Sequence, residues 1–129
     1  MKVIITGSRG IADFALVEIA MQRSGLEGRI TQIALRGTSG IAHLGQQYAD
    51  EHVIPVRRFD PNWNRGGRHD NRAELQRDDD LASYADAAVA VWDRKSGDNG
   101  YLIRAMVRLG KETHVYDESG GLVSESKAF

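Results

Sequence analysis

The chain has 129 residues, of which 41% are hydrophobic and 27% are charged, and its formal net charge is −1. These values predict one globular domain, and the near-neutral charge argues against broad electrostatic attraction to nucleic acid or to anionic membrane. The absence of cysteine excludes disulfides, thiolate metal ligands and a cysteine nucleophile. Neither a signal-peptide core nor a bilayer-spanning run is present, so we expect a soluble cytoplasmic protein.

Short apolar runs alternate with helical periodicity along the chain. Strands are predicted at 2–6, 30–35, 53–59, 85–93 and 112–117, and helices at 12–25, 39–51, 71–84 and 101–110. Pro55 predicts that the third strand is short or near a sheet edge. The acidic run Asp78–Asp80 is expected to be solvated, as part of an exposed helix face.

This alternation predicts an α/β fold, a single doubly wound, mainly parallel five-stranded sheet with helices on both faces. Residues 1–117 are assigned to this domain, and 118–129 to a mobile C-terminal tail in which Leu122 and Val123 offer a chance of pairing. Ligands of such folds bind at the carboxyl ends of the strands, so the loops that follow the strands form the candidate site.

The first two of these loops carry glycines, hydroxyl groups and arginine. Gly7, Ser8 and Arg9 follow the first strand, and an arginine there can form a two-pronged pair with phosphate or carboxylate. The second loop, Gly37-Thr38-Ser39-Gly40, opens a helix, where unpaired backbone N–H groups favour an anion. The alternative interpretations are a plain strand-to-helix turn with a solvated arginine and a plain capped turn.

Polar loops also follow the third and fourth strands. Trp63 either stacks on a base or anchors its loop on the core, and Arg65 and Arg72 offer positive charge nearby. Asp93 or Asp98 suits a ribose hydroxyl, because a carboxylate repels phosphate. The remaining candidates in these two loops are Asn71, Ser96, Gly97, Asn99 and Gly100, and the last four precede another helix.

Several chemistries lack the motif they need. There is no Walker A loop, no G-x-G-x-x-G fingerprint and no Gly-x-Ser-x-Gly elbow. The four histidines show no metal-ligand spacing, and His52 and His114 are interpreted as structural. We therefore expect no metal site and no required cofactor, with a nucleotide-like molecule as the ligand.

Four segments together resemble a known group of proteins: KVIITGSR, RGTSGIAHLGQQYA, PVRRFDPNW with the later Asn71-Arg72, and AVAVWDRKSGDNGYLIRAM. Over residues 2–117 they look like the YspA/YpsA-related branch of the SLOG superfamily, which also contains LOG-type phosphoribohydrolases and DprA proteins. The resemblance implies a Rossmann-like fold and a pocket for nucleotides or nucleotide-derived ligands. The matching positions are Gly7, Ser8, Arg9, Gly37, Ser39, Gly40, Trp63, Asn71, Ser96, Gly97 and Gly100.

The chain departs from this pattern in three places. The second motif of relatives commonly begins Gly-Gly, whereas here it begins Arg36-Gly37. The Arg-Asn pair of relatives reads Asp70-Asn71, and the glutamate expected of LOG enzymes is replaced by Arg104. The resemblance therefore points to ligand binding more than to nucleoside-phosphate hydrolysis.

Three hypotheses stay open. In the first, the protein binds a nucleotide or nucleotide-derived molecule and senses or sequesters it. In the second, it hydrolyses a nucleotide-like N-glycosidic or phosphoester bond, with Asp70, Glu74, Asp93 or Asp98 as the acid or base. In the third, it is a protein-interaction module with a vestigial pocket. Relatives often form dimers, so a homodimer or higher homo-oligomer is expected, with Leu102, Met106 or Val107 at the interface.

Overall fold

The computed structural model describes residues 1–8, 10–37, 40–60, 72–93 and 100–126. The strands within these ranges are β1 (Lys2–Gly7), β2 (Gln32–Arg36), β3 (Val56–Phe59), β4 (Ala87–Trp92), β5 (Glu112–Asp117) and β6 (Leu122–Ser126). The helices are α1 (Phe14–Ser24), α2 (Ile41–Glu51), α3 (Ala73–Tyr84) and α4 (Gly100–Arg108), with a 3₁₀ turn at Glu27–Arg29.

All the described strands belong to one sheet in the order β3-β2-β1-β4-β5-β6. The strands from β3 to β5 are parallel, and Ile4 in the middle of β1 pairs with Ala34 on one side and Ala88 on the other. The chain runs outward from β1 to β3 and then returns to place β4 on the other side of β1. This reversal of strand order between β1 and β4 confirms the expected α/β class and doubly wound, Rossmann-like arrangement.

The prediction of five strands was wrong, because β6 pairs antiparallel with β5. A tight turn makes this possible: the Asp117 carboxylate accepts hydrogen bonds from the backbone N–H groups of Ser119 and Gly121, and Gly120 has a φ of 83°. The strand has little hydrophobic signal because much of it faces water, and Leu122 is 53% exposed. Residues 122–126 therefore read as a tail in the sequence although they extend the sheet.

The two faces of the sheet carry separate apolar clusters. One contains Val17 and Met21 of α1 with Tyr48 of α2, and the other contains Leu81 of α3 with Leu102 and Met106 of α4. Because the central strands are buried on both faces, they appear in the sequence as continuous apolar runs.

The structure corrects the prediction that one face of α4 forms a homo-oligomer interface. Leu102 and Met106 are fully buried against the sheet, whereas Val107 is 46% exposed. The apolar stripe that the sequence places on one helix face is the stripe that α4 buries in the core of its own chain. Of the three residues proposed for an interface, only Val107 is available at the surface.

Local signals determine where several elements begin and end. The Asp13 side chain accepts the backbone N–H of Ala15 and caps α1, which ends at Gly25 in a left-handed conformation. β3 begins at Val56, after Pro55 and after Val53, which has a φ of 56°. It lies at the sheet edge, as Pro55 predicted. Across the described ranges, no helix has the length and apolar character needed to cross a membrane.

Candidate functional site

The carboxyl ends of the parallel strands lie side by side. β1 ends at Gly7 and is followed by Ser8, β2 is followed by Gly37, and β4 is followed by Asp93. Since β1 lies between β2 and β4, these four residues meet at the edge where the strand order reverses. This is the edge at which open α/β sheets bind ligands.

Gly7 is required for close packing. A Cβ atom at this position would lie 2.5 Å from the carbonyl oxygen of Val91 and 3.2 Å from Cγ1 of Ile41. Such a contact with a backbone oxygen cannot be relieved by rotating a side chain. Gly7 therefore lets β1, β4 and the start of α2 approach one another.

Ser8 joins the ends of β1 and β4. It is completely buried, its N–H donates to the Val91 carbonyl at 2.9 Å, and its hydroxyl accepts the N–H of Asp93 at 3.0 Å. These two bonds hold the point where the strand order reverses. They also bring the start of the loop after β4 next to the start of the loop after β1.

The turn after β2 has a different character. Gly37 and Gly40 have φ values of 72° and 60°, in the region that favours glycine. A Cβ at Gly37 would meet no heavy atom within 4 Å, so conformation and not space explains this glycine. Gly40 is exposed and precedes α2, whose first N–H groups point towards this edge.

Arg58 braces this turn from the neighbouring strand. Its guanidinium donates from Nη1 to the carbonyl oxygen of Gly37 at 2.7 Å and from Nη2 to Oε1 of Gln46 at 2.8 Å. The amide of Gln46 in turn donates to Asp50 one helix turn further along α2, at 2.8 Å. Sequence reasoning did not single out Arg58. The available signal was the Arg57-Arg58 pair, whose side chains must point to opposite faces of β3.

Asp78 contradicts the expectation that the acidic run of α3 is solvated. Its carboxylate is 3.1 Å from Nη1 of Arg36 and 2.9 Å from Nε of Arg77, and the side chains of all three residues are at most 12% exposed. The expected solvated run Asp78–Asp80 is therefore exposed only at Asp80. Asp78 lies on the side of α3 that faces the end of β2, where it provides a counter-ion for Arg36.

Two further described residues lie where α3 and α4 begin. Arg72 is exposed and its carbonyl accepts the N–H of Gln76 at 2.9 Å. At Gly100, the first residue of α4, an added Cβ would lie 2.9 Å from Nη1 of Arg104. The side chain of Arg104 therefore folds back towards the start of its helix.

A groove of about 490 Å³ runs along the outer side of α4. Tyr101 at one end donates to Oδ1 of Asp79 at 2.8 Å, and this hydrogen bond raises the pKa of the Tyr101 phenol. The described residues that line it come from α4: Tyr101, Ile103, Arg104, Val107 and Arg108. Among the described residues, the groove is therefore a feature of the α4 surface, and Ser8 and Gly37 at the ends of β1 and β2 are not part of its lining.

The other predicted site residues lie outside the described residues and their roles stay predictions. They are Arg9, Thr38, Ser39, Trp63, Asn71, Ser96, Gly97 and Asn99, together with Arg65, Asp70 and Asp98. Within the part of the chain that is described, no group of three or more histidine or acidic side chains is arranged to hold a metal ion.

Comparison with known proteins adds one match. Residues 1–66 match the family described as "YspA, cpYpsA-related SLOG family", and this region contains β1, β2, β3 and both glycine turns discussed above. No curated protein and no solved structure matches the chain. Since the family match spans 66 of the 129 residues, the chain belongs to the YspA, cpYpsA-related SLOG family.

Proposed function

We propose that the protein binds a nucleotide or a nucleotide-derived small molecule at the carboxyl edge of its sheet, and that it senses or sequesters this ligand. The observation that carries the proposal is the turn after β2. Gly37 and Gly40 have positive φ values beside the β1–β4 reversal point, at the start of α2 and inside the region that matches the family. Membership of a SLOG family supports a nucleotide-related ligand.

The chemistry of each loop suggests a role. Phosphate groups bind at the N-termini of α2 and α4, to which Gly37–Gly40 and Ser96–Gly100 belong in the sequence. Arg9, Arg65 or Arg72 neutralises the phosphate charge. Asp93 or Asp98 accepts a ribose hydroxyl, and Trp63 stacks on the base.

Binding is favoured over hydrolysis by the charge at the start of α4. Arg104 replaces the acid expected of LOG enzymes, and its guanidinium lies against Gly100. A cation there can hold an anionic ligand, but at neutral pH it cannot accept a proton as a general base. The hydrolase alternative needs Asp70, Glu74, Asp93 or Asp98 as its acid or base, and of these Asp93 donates its backbone N–H to Ser8 at the reversal point.

An interaction module with a vestigial pocket is the other alternative. The groove along α4 supports it, because exposed Val107 lies there between Arg104 and Arg108. We also propose a homodimer or higher homo-oligomer, for which Val107 is the surface-exposed candidate. Nucleic acid and membrane are not proposed as partners, given the net charge of −1.

Native mass spectrometry of the purified protein tests the proposal. The expected result is an intact nucleotide-like mass that is released on denaturation, and the same spectrum counts the subunits. Prolonged incubation with that ligand should return it unchanged, whereas turnover would establish the hydrolase. An empty protein whose melting temperature is unmoved by a nucleotide panel, in wild type and Arg9→Ala alike, would favour the interaction module.

A further inference from the structure

Arg58 is the cationic side chain that connects three elements around the turn after β2. It belongs to β3, and its two terminal nitrogens reach Gly37 after β2 and Gln46 on α2. We propose that Arg58 is a positioning residue for the ligand site, holding the Gly37 turn in its binding conformation before the ligand arrives. This inference rests on the proposed function and extends it to the preorganisation of the same site.

The geometry of the two bonds makes Arg58 a rigid spacer. The donors are the separate nitrogens Nη1 and Nη2, at 2.7 Å from Gly37 O and 2.8 Å from Gln46 Oε1. Because the guanidinium is planar, the two acceptors are held at a fixed separation and direction. Lysine has one nitrogen on a flexible stem and cannot reproduce this fork.

The helix side of the connection is itself oriented. Gln46 donates through Nε2 to Oδ1 of Asp50 at 2.8 Å, so its amide oxygen is left facing Arg58. Residues four apart on a helix are natural partners for such a bond. A continuous chain of side chains, from Asp50 through Gln46 and Arg58, therefore ends on the Gly37 carbonyl.

The turn needs this restraint because its own backbone is permissive. Gly37 and Gly40 have access to more conformations than other residues, so ordering them on ligand binding would be entropically unfavourable. Among the described residues, the contact of the Gly37 N–H is a long one, 3.4 Å to the Phe59 carbonyl. The charged bond from Arg58 at 2.7 Å is the stronger restraint.

Arg57 supplies a matched control on the same strand. Its guanidinium lies over the rings of Phe59 and Tyr84, 4.9 and 4.6 Å from their centroids, on the face of the sheet covered by α3. The variants Arg57→Met and Arg58→Met remove the same charge from adjacent positions of β3. Only the second variant cuts the connection to Gly37.

The experiment measures ligand binding and turn mobility in the same variants. Wild-type protein is titrated with the ribonucleoside 5′-mono-, di- and triphosphates, and the one that binds most tightly is titrated into Arg57→Met, Arg58→Met, Arg58→Lys and Gln46→Leu. Amide hydrogen exchange of peptides covering residues 36–45 is measured without ligand. Melting temperatures establish that each variant is folded.

We expect Arg58→Met to weaken nucleotide binding by about tenfold or more, and Arg57→Met to leave it within about twofold of wild type. Arg58→Lys should resemble Arg58→Met, because the charge remains but the fork is lost. Gln46→Leu should weaken binding without any change of charge, and combining it with Arg58→Met should add little. Exchange across 36–45 should rise in Arg58→Met and Gln46→Leu, but not in Arg57→Met.

The outcomes separate two kinds of failure. If wild type binds a nucleotide and Arg58→Met binds it equally well, the role of Arg58 is overturned and the proposed function survives. If Arg58→Lys binds the nucleotide as tightly as wild type and amide hydrogen exchange across 36–45 is unchanged, only the positive charge of Arg58 matters. That result would also overturn its positioning role. If wild type binds no nucleotide, the proposed function fails, and the role of Arg58 in ligand binding fails with it.

Discussion

The ends of β1 and β2 have similar sequences, but their glycines have different surroundings and different backbone conformations. Each strand is followed by glycine and small hydroxyl residues, as Gly7-Ser8 and as Gly37-Thr38-Ser39. At β1 the glycine is enclosed, with the Val91 carbonyl 2.5 Å from where a Cβ would lie, and Ser8 is fully buried. At β2 the glycine has open space around it and a left-handed φ of 72°.

The difference separates a structural junction from a surface that can meet a ligand. Gly7 and Ser8 hold β1 against β4, and the Ser8 hydroxyl is engaged by the Asp93 N–H. Gly37 and Gly40 lie between β2 and α2, and Arg58 on the next strand donates a hydrogen bond to the Gly37 carbonyl. A glycine–hydroxyl motif after a strand therefore needs its neighbours in space before a role can be assigned to it.

The largest effect should come from Gly7→Ala. The new methyl group would collide with a backbone oxygen, and overpacking of this kind costs about 2–3 kcal/mol of unfolding free energy, as measured by urea denaturation. Gly10→Ala in the same loop is the control, because nothing lies within 4 Å of its Cβ position and its φ is not positive. Equal stability of the two variants would contradict the close approach of β1 to β4.

Gly37→Ala should lower the free energy of unfolding less than Gly7→Ala does, but it should weaken ligand binding more. Forcing alanine into a left-handed conformation costs about 1–2 kcal/mol, and distortion of the turn should also weaken nucleotide binding. Gly28→Ala is the control, since that glycine has open space and no positive φ. Wild-type stability together with wild-type affinity in Gly37→Ala would contradict the requirement for glycine at this turn.

Ser8→Ala should cost about 1 kcal/mol, because the Asp93 N–H loses its acceptor at a half-buried position. Thermal and urea denaturation measure this loss, and exposed Ser83→Ala provides the control. A stable Ser8→Ala protein with unchanged exchange at the Asp93 amide would show that this bond does not join the two strand ends.

The smallest expected effect at neutral pH is on the free energy of unfolding through Tyr48 of α2, the helix that follows the Gly37–Gly40 turn. Burial raises the pKa of the Tyr48 phenol, so above about pH 10 the unfolded chain loses a proton that the folded chain keeps. The free energy of unfolding should therefore fall as the pH rises through that range. Below it, both states are neutral and the stability contribution is fully present.

Tyr48→Phe should flatten the alkaline part of this profile when denaturation is repeated between pH 8 and 11, a range chosen around the ordinary tyrosine pKa of about 10. A residual slope should remain, because burial also raises the pKa of Tyr116. An unchanged slope in Tyr48→Phe would mean that the phenol of Tyr48 ionises equally easily in both states.

Predictions from the sequence succeeded where the signal is local. The apolar run of β1, the stop of α1 at Gly25 and the edge position that Pro55 indicates for β3 all appear in the structure. They failed where burial depends on a distant partner. β6 is polar because one of its faces meets water, and Asp78 is buried because Arg36 lies opposite it.

The order of residues decided the alternation of strands and helices, and with it the parallel sheet whose carboxyl edge carries the candidate loops. It also decided where glycine is available, because propensity and periodicity act between near neighbours in the chain. Only the tertiary structure decided that Gly7 serves packing, that Gly37 serves conformation and that Arg58, not Arg57, restrains the turn. Those assignments depend on contacts between different strands and helices, and no local pattern encodes which surfaces will meet.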